Sequence, residues 1–172
     1  MKQGSCTQAL SDREEVINEL AALCLKSGVS LSTAESCTGG LIAGAMTDVA
    51  GSSAWFDRGF VTYSNDAKMD MLGVGSDILQ QYGAVSAAVV EAMAKGAVDR
   101  SLAHYSVSVS GVAGPGGGTD EKPVGTVWFG LSNGDVTASE VKRFDGDRAE
   151  VRQQTIDYAL SRLLAFVQKN NR

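Results

Sequence analysis

Residues 29–33 form a short apolar-alternating run, which passes through Ala34-Glu35-Ser36-Cys37-Thr38-Gly39-Gly40 into a segment with helical character that ends near residue 49. The spacing predicts a strand over 29–34 and a helix over 39–49, with Ser36 at the strand-to-helix turn between them. A turn of this kind suits a nucleophile. Free backbone N–H groups and the positive end of a helix dipole stabilise the negative oxygen formed when a hydroxyl attacks a carbonyl. The other reading of the same residues is that Ser36 or Thr38 only caps the helix.

The rest of the chain continues the alternation. Ser11-Asp12-Arg13-Glu14 reads as a capping box for a first helix, with Val16, Ile17, Leu20, Leu23 and Cys24 at helical spacing until Gly28. A second strand is predicted over 59–63, followed by short helical pieces over 66–71 and 77–81. Ser86 is placed to cap a helix over 87–101 that carries Val89, Val90, Met93 and Ala97 on one side. A third strand falls over 105–110, and a Gly-rich stretch over 111–125 leads to a fourth strand at 126–132. Asn133-Gly134 signals a two-residue hairpin into a fifth strand over 135–144. Asp147-Arg148-Ala149-Glu150 forms a second capping box, ahead of a terminal helix with Val151, Ile156, Leu160, Leu163, Leu164 and Val167 on its apolar face. Helices that alternate with strands and a closing hairpin imply a three-layer α/β/α domain with a five-stranded mixed, mostly parallel sheet.

A chain of 172 residues suits one domain, and 44% hydrophobic residues with only two prolines argue against disorder outside the ends. The net charge is −5 and the basic residues are scattered, so nucleic acid is not the expected partner. A small anion held by one or two cations is still compatible. Neither the start, Met1-Lys2-Gln3-Gly4-Ser5-Cys6, nor any later stretch has the apolar length of a membrane span, which points to a soluble, cytoplasmic protein. The three cysteines, Cys6, Cys24 and Cys37, make an odd number without metal-like spacing. His104 is the only histidine, so a multi-histidine zinc site cannot be built and a serine triad would have to use it. It precedes the third strand, away from the expected ligand edge.

That edge lies beyond the carboxyl ends of the parallel strands. Strand ends at Glu35-Ser36, Tyr63-Ser64-Asn65 and Ser110-Gly111 should meet there, together with Thr126 at the start of an antiparallel strand and Asp145 to Arg148 after the hairpin. With His104 discounted, the base for Ser36 is expected to be Lys68, with Tyr63 relaying the proton or donating to the leaving group. A lysine serves as a base only if burial or nearby positive charge lowers its proton affinity. The alternative is a solvated Lys68 and a half-buried Tyr63. Thr38, Gly39 and Gly40 offer donors for an oxyanion hole, and Cys37 is a rival nucleophile at the same turn. The loop that begins Gly111-Val112-Ala113-Gly114-Pro115 has the look of a phosphate cradle or a merely flexible connection. It lacks the Gly-Lys-Ser/Thr ending of a P-loop, which weakens a phosphotransferase reading.

Ser36-Cys37-Thr38-Gly39-Gly40, Gly51-Ser52-Ser53-Ala54-Trp55-Phe56, Gly59-Phe60-Val61-Thr62-Tyr63-Ser64-Asn65, Ser110-Gly111-Val112-Ala113-Gly114-Pro115 and Lys122-Pro123-Val124-Gly125-Thr126-Val127 follow in that order. Over about residues 12–168 the chain closely resembles the C-terminal domain of the CinA (competence/damage-inducible) family, whose stand-alone members are nicotinamide-nucleotide amidases. The resemblance implies a single domain over 1–172, strand order 2-1-3-4-5 as in anticodon-binding-domain topologies, and no cofactor or metal. It also implies conversion of nicotinamide mononucleotide to nicotinate mononucleotide and ammonia in pyridine-nucleotide salvage. The family's Tyr-Ser-Asn-x-x-Lys pattern is matched by Tyr63, Ser64, Asn65 and Lys68. Asn65, Ser110, Gly111, Gly114, Thr126 and Arg148 then become substrate holders, with Arg148 a partner for the ribose phosphate. Gly116 to Gly118 depart from relatives that carry an acidic or polar residue there. A homo-oligomer is expected. The alternative within the family is a nucleotide-sensing or competence-associated interaction module without catalysis.

Overall fold

The fold is that of a computed structural model, in which residues 3–171 are described, with side chains from residue 12 onward. Met1 and Lys2, and the side chain of Cys6, lie outside this range. Helix α1 (Gln3–Ser27) leads to strand β1 (Leu31–Glu35) and helix α2 (Leu41–Thr47); a 3₁₀ turn at Ser52–Ala54 precedes β2 (Phe56–Val61). Helices α3 (Asn65–Leu72), α4 (Ser76–Tyr82) and α5 (Ala87–Asp99) follow in succession. Strands β3 (Tyr105–Gly111), β4 (Thr126–Ser132) and β5 (Thr137–Arg143) and helix α6 (Arg148–Asn170) complete the chain.

The sheet order is β2-β1-β3-β4-β5. Strand β1 runs parallel to β2 and β3, while β4 is antiparallel to both β3 and β5, so four of the five strands point the same way. One face carries α1, α2 and α6 around Leu20, Ile42, Val107, Phe129 and Leu160. The other carries α3, α4 and α5 around Ala34, Leu72, Val89 and Met93. This is the three-layer architecture that the alternation of elements predicts.

Strand β3 shows how sequence sets the spacing of the layers. Val107 and Val109 face the α6 side, and the alternate residues Ser106 and Ser108 face α5, donating to the carbonyls of Ala94 at 2.7 Å and Val90 at 2.5 Å. Each such buried bond contributes about 1 kcal/mol net and, more importantly, leaves no polar group unpaired. Small side chains here let α5 come close. Opposite Ser108, a Cβ on Gly130 would lie 2.3 Å from the Val90 carbonyl oxygen.

Three local expectations are corrected. The Ser11 capping box does not start the first helix, because α1 already runs from Gln3 and Ser11 is interior to it. The hairpin is a four-residue loop, not a two-residue turn: Ser132 pairs with Thr137, and the Asn133 N–H donates to the Val136 carbonyl at 3.1 Å. The Asn133 side chain accepts from the Val136 N–H at 2.7 Å, so the asparagine stabilises a longer loop, with Gly134 taking the positive φ. Strand β2 begins at Phe56 and ends at Val61, earlier than predicted, which leaves Tyr63 in the connection to α3. The capping box at Asp147 and Glu150 and the cap at Ser86 are present as predicted.

Candidate active site

The carboxyl ends of β1, β2 and β3 meet at one edge. Ser36 directly follows β1, and its N–H continues the ladder onto the Val109 carbonyl of β3 at 3.0 Å. Ser64 caps α3 through its side chain, which accepts from the Ala67 N–H. That cap fixes the helix start, and Lys68 on its first full turn then points back across the sheet edge. Its Nζ lies 3.1 Å from Ser36 Oγ and 2.9 Å from the Thr62 carbonyl oxygen. Lys68 is 1% exposed. Burial penalises the ammonium and lowers its pKa from the ordinary lysine value.

Ser36, Lys68, Tyr63, Asn65, Ser110 and Gly111 line a cleft of about 230 Å³. Arg148, at the first position of α6, also borders it: one guanidinium nitrogen donates to Tyr63 Oη at 3.1 Å and another to the Gly114 carbonyl at 2.9 Å. Gly114, Asp147, Arg148 and Arg152 line a second cavity of about 690 Å³, which shares Ala113 and Arg148 with the first. The two cavities adjoin at Ala113 and Arg148, and the Ser36 side chain lines the smaller one.

Cys37 lines the same cleft, and burial pushes its thiol up to about 11. A thiol so shifted is almost wholly protonated at neutral pH and is a poor nucleophile. His104 is at the amino end of β3, where its Nδ1 accepts from the Ser30 N–H. The length of β1, about 16 Å at the usual rise per residue, separates it from Ser36.

The structure arranges the remaining expected residues differently. The Thr38 hydroxyl and the Gly40 N–H, expected as oxyanion donors, both donate to the Glu35 carboxylate, and the Gly39 N–H donates to the Ser36 carbonyl. Among the described residues, the Thr38 N–H remains as a donor of the turn without a partner in the protein, and the Cys37 N–H lies against its own thiol. Thr126 is buried where β4 opens and borders neither cavity. Two residues escaped the sequence reading. Glu35 looked like the last residue of a strand; a carboxylate in an otherwise buried strand is itself a signal, since such residues are rarely buried unless paired. Arg152 lies one helical turn after Arg148, and that i,i+4 spacing places both on one face of α6.

The model of the CinA C-terminal domain matches residues 13–167. The chain is 54% identical to the nicotinamide-nucleotide amidohydrolase PncC of Enterobacter agglomerans over 157 residues, covering 91% of this chain and 96% of the relative. It is 55% identical to the protein of the same name from Escherichia coli strain K12 over 139 residues, or 79% and 83% of the two chains. Among solved structures, the competence/damage inducible protein CihA of Agrobacterium tumefaciens superposes with a TM-score of 0.86 at 49% identity, over 90% of this chain and 94% of that one. Sequence and fold agree, and the chain belongs to the CinA C-terminal domain family.

Proposed function

We propose that this chain acts as one domain to hydrolyse the carboxamide of nicotinamide mononucleotide, giving nicotinate mononucleotide and ammonia in pyridine-nucleotide salvage, with Ser36 as nucleophile. The observation that carries the reading is the buried Lys68 amine 3.1 Å from Ser36 Oγ. The names of the similar amidohydrolases supply the substrate.

Neutral Lys68 donates one N–H to the Thr62 carbonyl, which holds its amine beside Ser36 Oγ. Ser36 Oγ attacks the carboxamide carbon as its proton passes to Lys68, and the carbonyl oxygen becomes an oxyanion beside the Thr38 N–H group. The C–N bond then breaks. Ammonia leaves with the proton returned from Lys68, directly or through Tyr63, and a nicotinoyl ester remains on Ser36. Water attacks that ester while Lys68 takes its proton, and the ester bond breaks to give the carboxylate and a reprotonated Ser36. A positioned base of this kind accelerates proton transfer by roughly 10²- to 10⁴-fold. Arg148 offers paired donors to the ribose phosphate. A cytoplasmic setting and self-association belong to the same reading; among the described residues no helix is long and apolar enough to cross a membrane.

Ammonia release from a panel of pyridine amides, with EDTA present, tests the assignment. Turnover of nicotinamide mononucleotide well above that of free nicotinamide supports it. Absence of ammonia from every amide in the panel overturns it.

A further inference from the structure

Glu35 is fully buried at the end of β1, on the same face of the strand as Leu31 and Thr33. A buried carboxylate without partners costs several kcal/mol. This one has five. Oε1 accepts from Thr33 Oγ1 at 3.2 Å and the Ala43 N–H at 2.8 Å; Oε2 accepts from Thr38 Oγ1 at 2.6 Å and from the N–H groups of Gly40 and Ile42, each at 3.0 Å. Helix α2 begins after Gly40, a residue with no side chain to cap it. Glu35, five residues upstream, takes the orphan N–H groups that a cap would otherwise satisfy. The positive end of α2 is therefore filled by the protein's own carboxylate.

The carbonyls of the same turn are held from the opposite direction. Arg152 Nε donates to the Cys37 carbonyl at 3.2 Å and its Nη2 to the Thr38 carbonyl at 3.1 Å. Within this turn the Thr38 hydroxyl and the Gly40 N–H are thus tied to β1, and the Cys37 and Thr38 carbonyls to α6. Ser36 is the first residue of this segment.

We propose that Glu35 and Arg152 are positioning residues, a two-sided clamp that keeps Ser36 Oγ within reach of Lys68 without itself touching substrate. The proposal rests on the reading of Ser36 as nucleophile. Glu35 borders neither cavity, so it acts only through the turn. Arg152 borders the larger cavity, but its Nε and Nη2 are turned to the two carbonyls of the turn. Glu35→Gln keeps the shape but puts an NH₂ group against the Ala43 or the Gly40 and Ile42 donors. Arg152→Lys keeps the charge but loses the fork that spans two carbonyls.

The test measures steady-state kinetics and the rate at which a fluorophosphonate probe labels Ser36, both per folded molecule as fixed by circular dichroism and Tm. Misplacement of a reacting atom by about 1 Å costs on the order of 100-fold, so both variants are expected to lose about tenfold or more in kcat and in labelling rate. KM should stay within about twofold and the pH at half-maximal rate should not move, because neither the substrate contacts nor Lys68 is altered. A lower Tm with wild-type kcat and labelling would make the two residues merely structural and overturn the clamp, as would a loss expressed in KM. Should Glu35→Gln not fold, Thr38→Val removes a single donor to the carboxylate and is expected to lose kcat in the same way; wild-type kcat in folded Thr38→Val and Arg152→Lys overturns the proposal. Wild-type protein that is labelled at Ser36 but releases no ammonia refutes the substrate, not the clamp, which the labelling rates still decide.

Discussion

Lys68 Nζ stands 3.1 Å from Ser36 Oγ, although 32 positions separate the two residues, and both are buried. Burial lowers the pKa of the amine from the ordinary 10.5. The working base is the neutral form, so the sign is fixed: below the folded-state pKa the amine is protonated and inactive, and kcat rises with pH through one ionisation lying below 10.5. Lys68→Met is expected to lose at least about 100-fold in kcat while still binding substrate. Lys68→Arg should be nearly as inactive, because a guanidinium stays charged. A Lys68→Arg variant with near-normal turnover would reduce position 68 to a source of positive charge.

Ser36→Ala should abolish turnover while leaving substrate affinity and fold largely intact, and Cys37→Ala should stay active. With its thiol pushed up to about 11, only about one Cys37 in ten thousand is a thiolate at pH 7. Burst kinetics and isothermal binding on the two variants separate them. A dead Cys37→Ala beside a working Ser36→Ala would transfer the chemistry to sulfur.

Arg148 reaches Tyr63 Oη and the Gly114 carbonyl from the first turn of α6, between the two cavities. A charge-assisted bond to phosphate contributes about 1.5–3 kcal/mol, so Arg148→Ala should raise KM for nicotinamide mononucleotide by roughly ten- to a hundredfold. The phosphate-free riboside should change far less. Equal losses for both would remove the phosphate role.

The order of strands and helices was legible because hydrophobic period and cap residues are local signals. Asp147 and Glu150 form the predicted capping box, and the end of β1 falls beside Ser36. Ser11 misled for the same reason: a capping pattern reports what four residues can do, not whether a helix already runs through them. The allocation of donors at the Ser36 turn was not legible, since it depends on which side chain folds back. Thr38 and Gly40 look free in sequence, yet Glu35 claims both. Thr126 was placed at the cleft by strand direction and by the family resemblance; it opens β4 at that edge, but Val127 is the residue that pairs with Gly111.

The last prediction concerns how α3, which carries Lys68, is held. Gly96 lies in the interior of α5, where alanine is intrinsically preferred by about 1 kcal/mol. A Cβ there would sit 2.1 Å from the Leu72 carbonyl oxygen and 3.0 Å from the Leu72 carbonyl carbon, both backbone atoms at the end of α3 that cannot rotate away. The helices must separate, and overpacking of that kind costs about 1–3 kcal/mol. A contact this close lies at the upper end of that range and outweighs the propensity, so Gly96→Ala should lose up to about 2 kcal/mol in urea unfolding. Its kcat should fall while KM holds, because a displaced α3 carries Lys68 away from Ser36. Gly44, exposed in α2 with nothing within 4 Å of its would-be Cβ, is the counter-case: Gly44→Ala should gain about 0.5–1 kcal/mol. A Gly96→Ala protein as stable as Gly44→Ala would mean that α3 and α5 yield to each other more easily than their backbone contact implies.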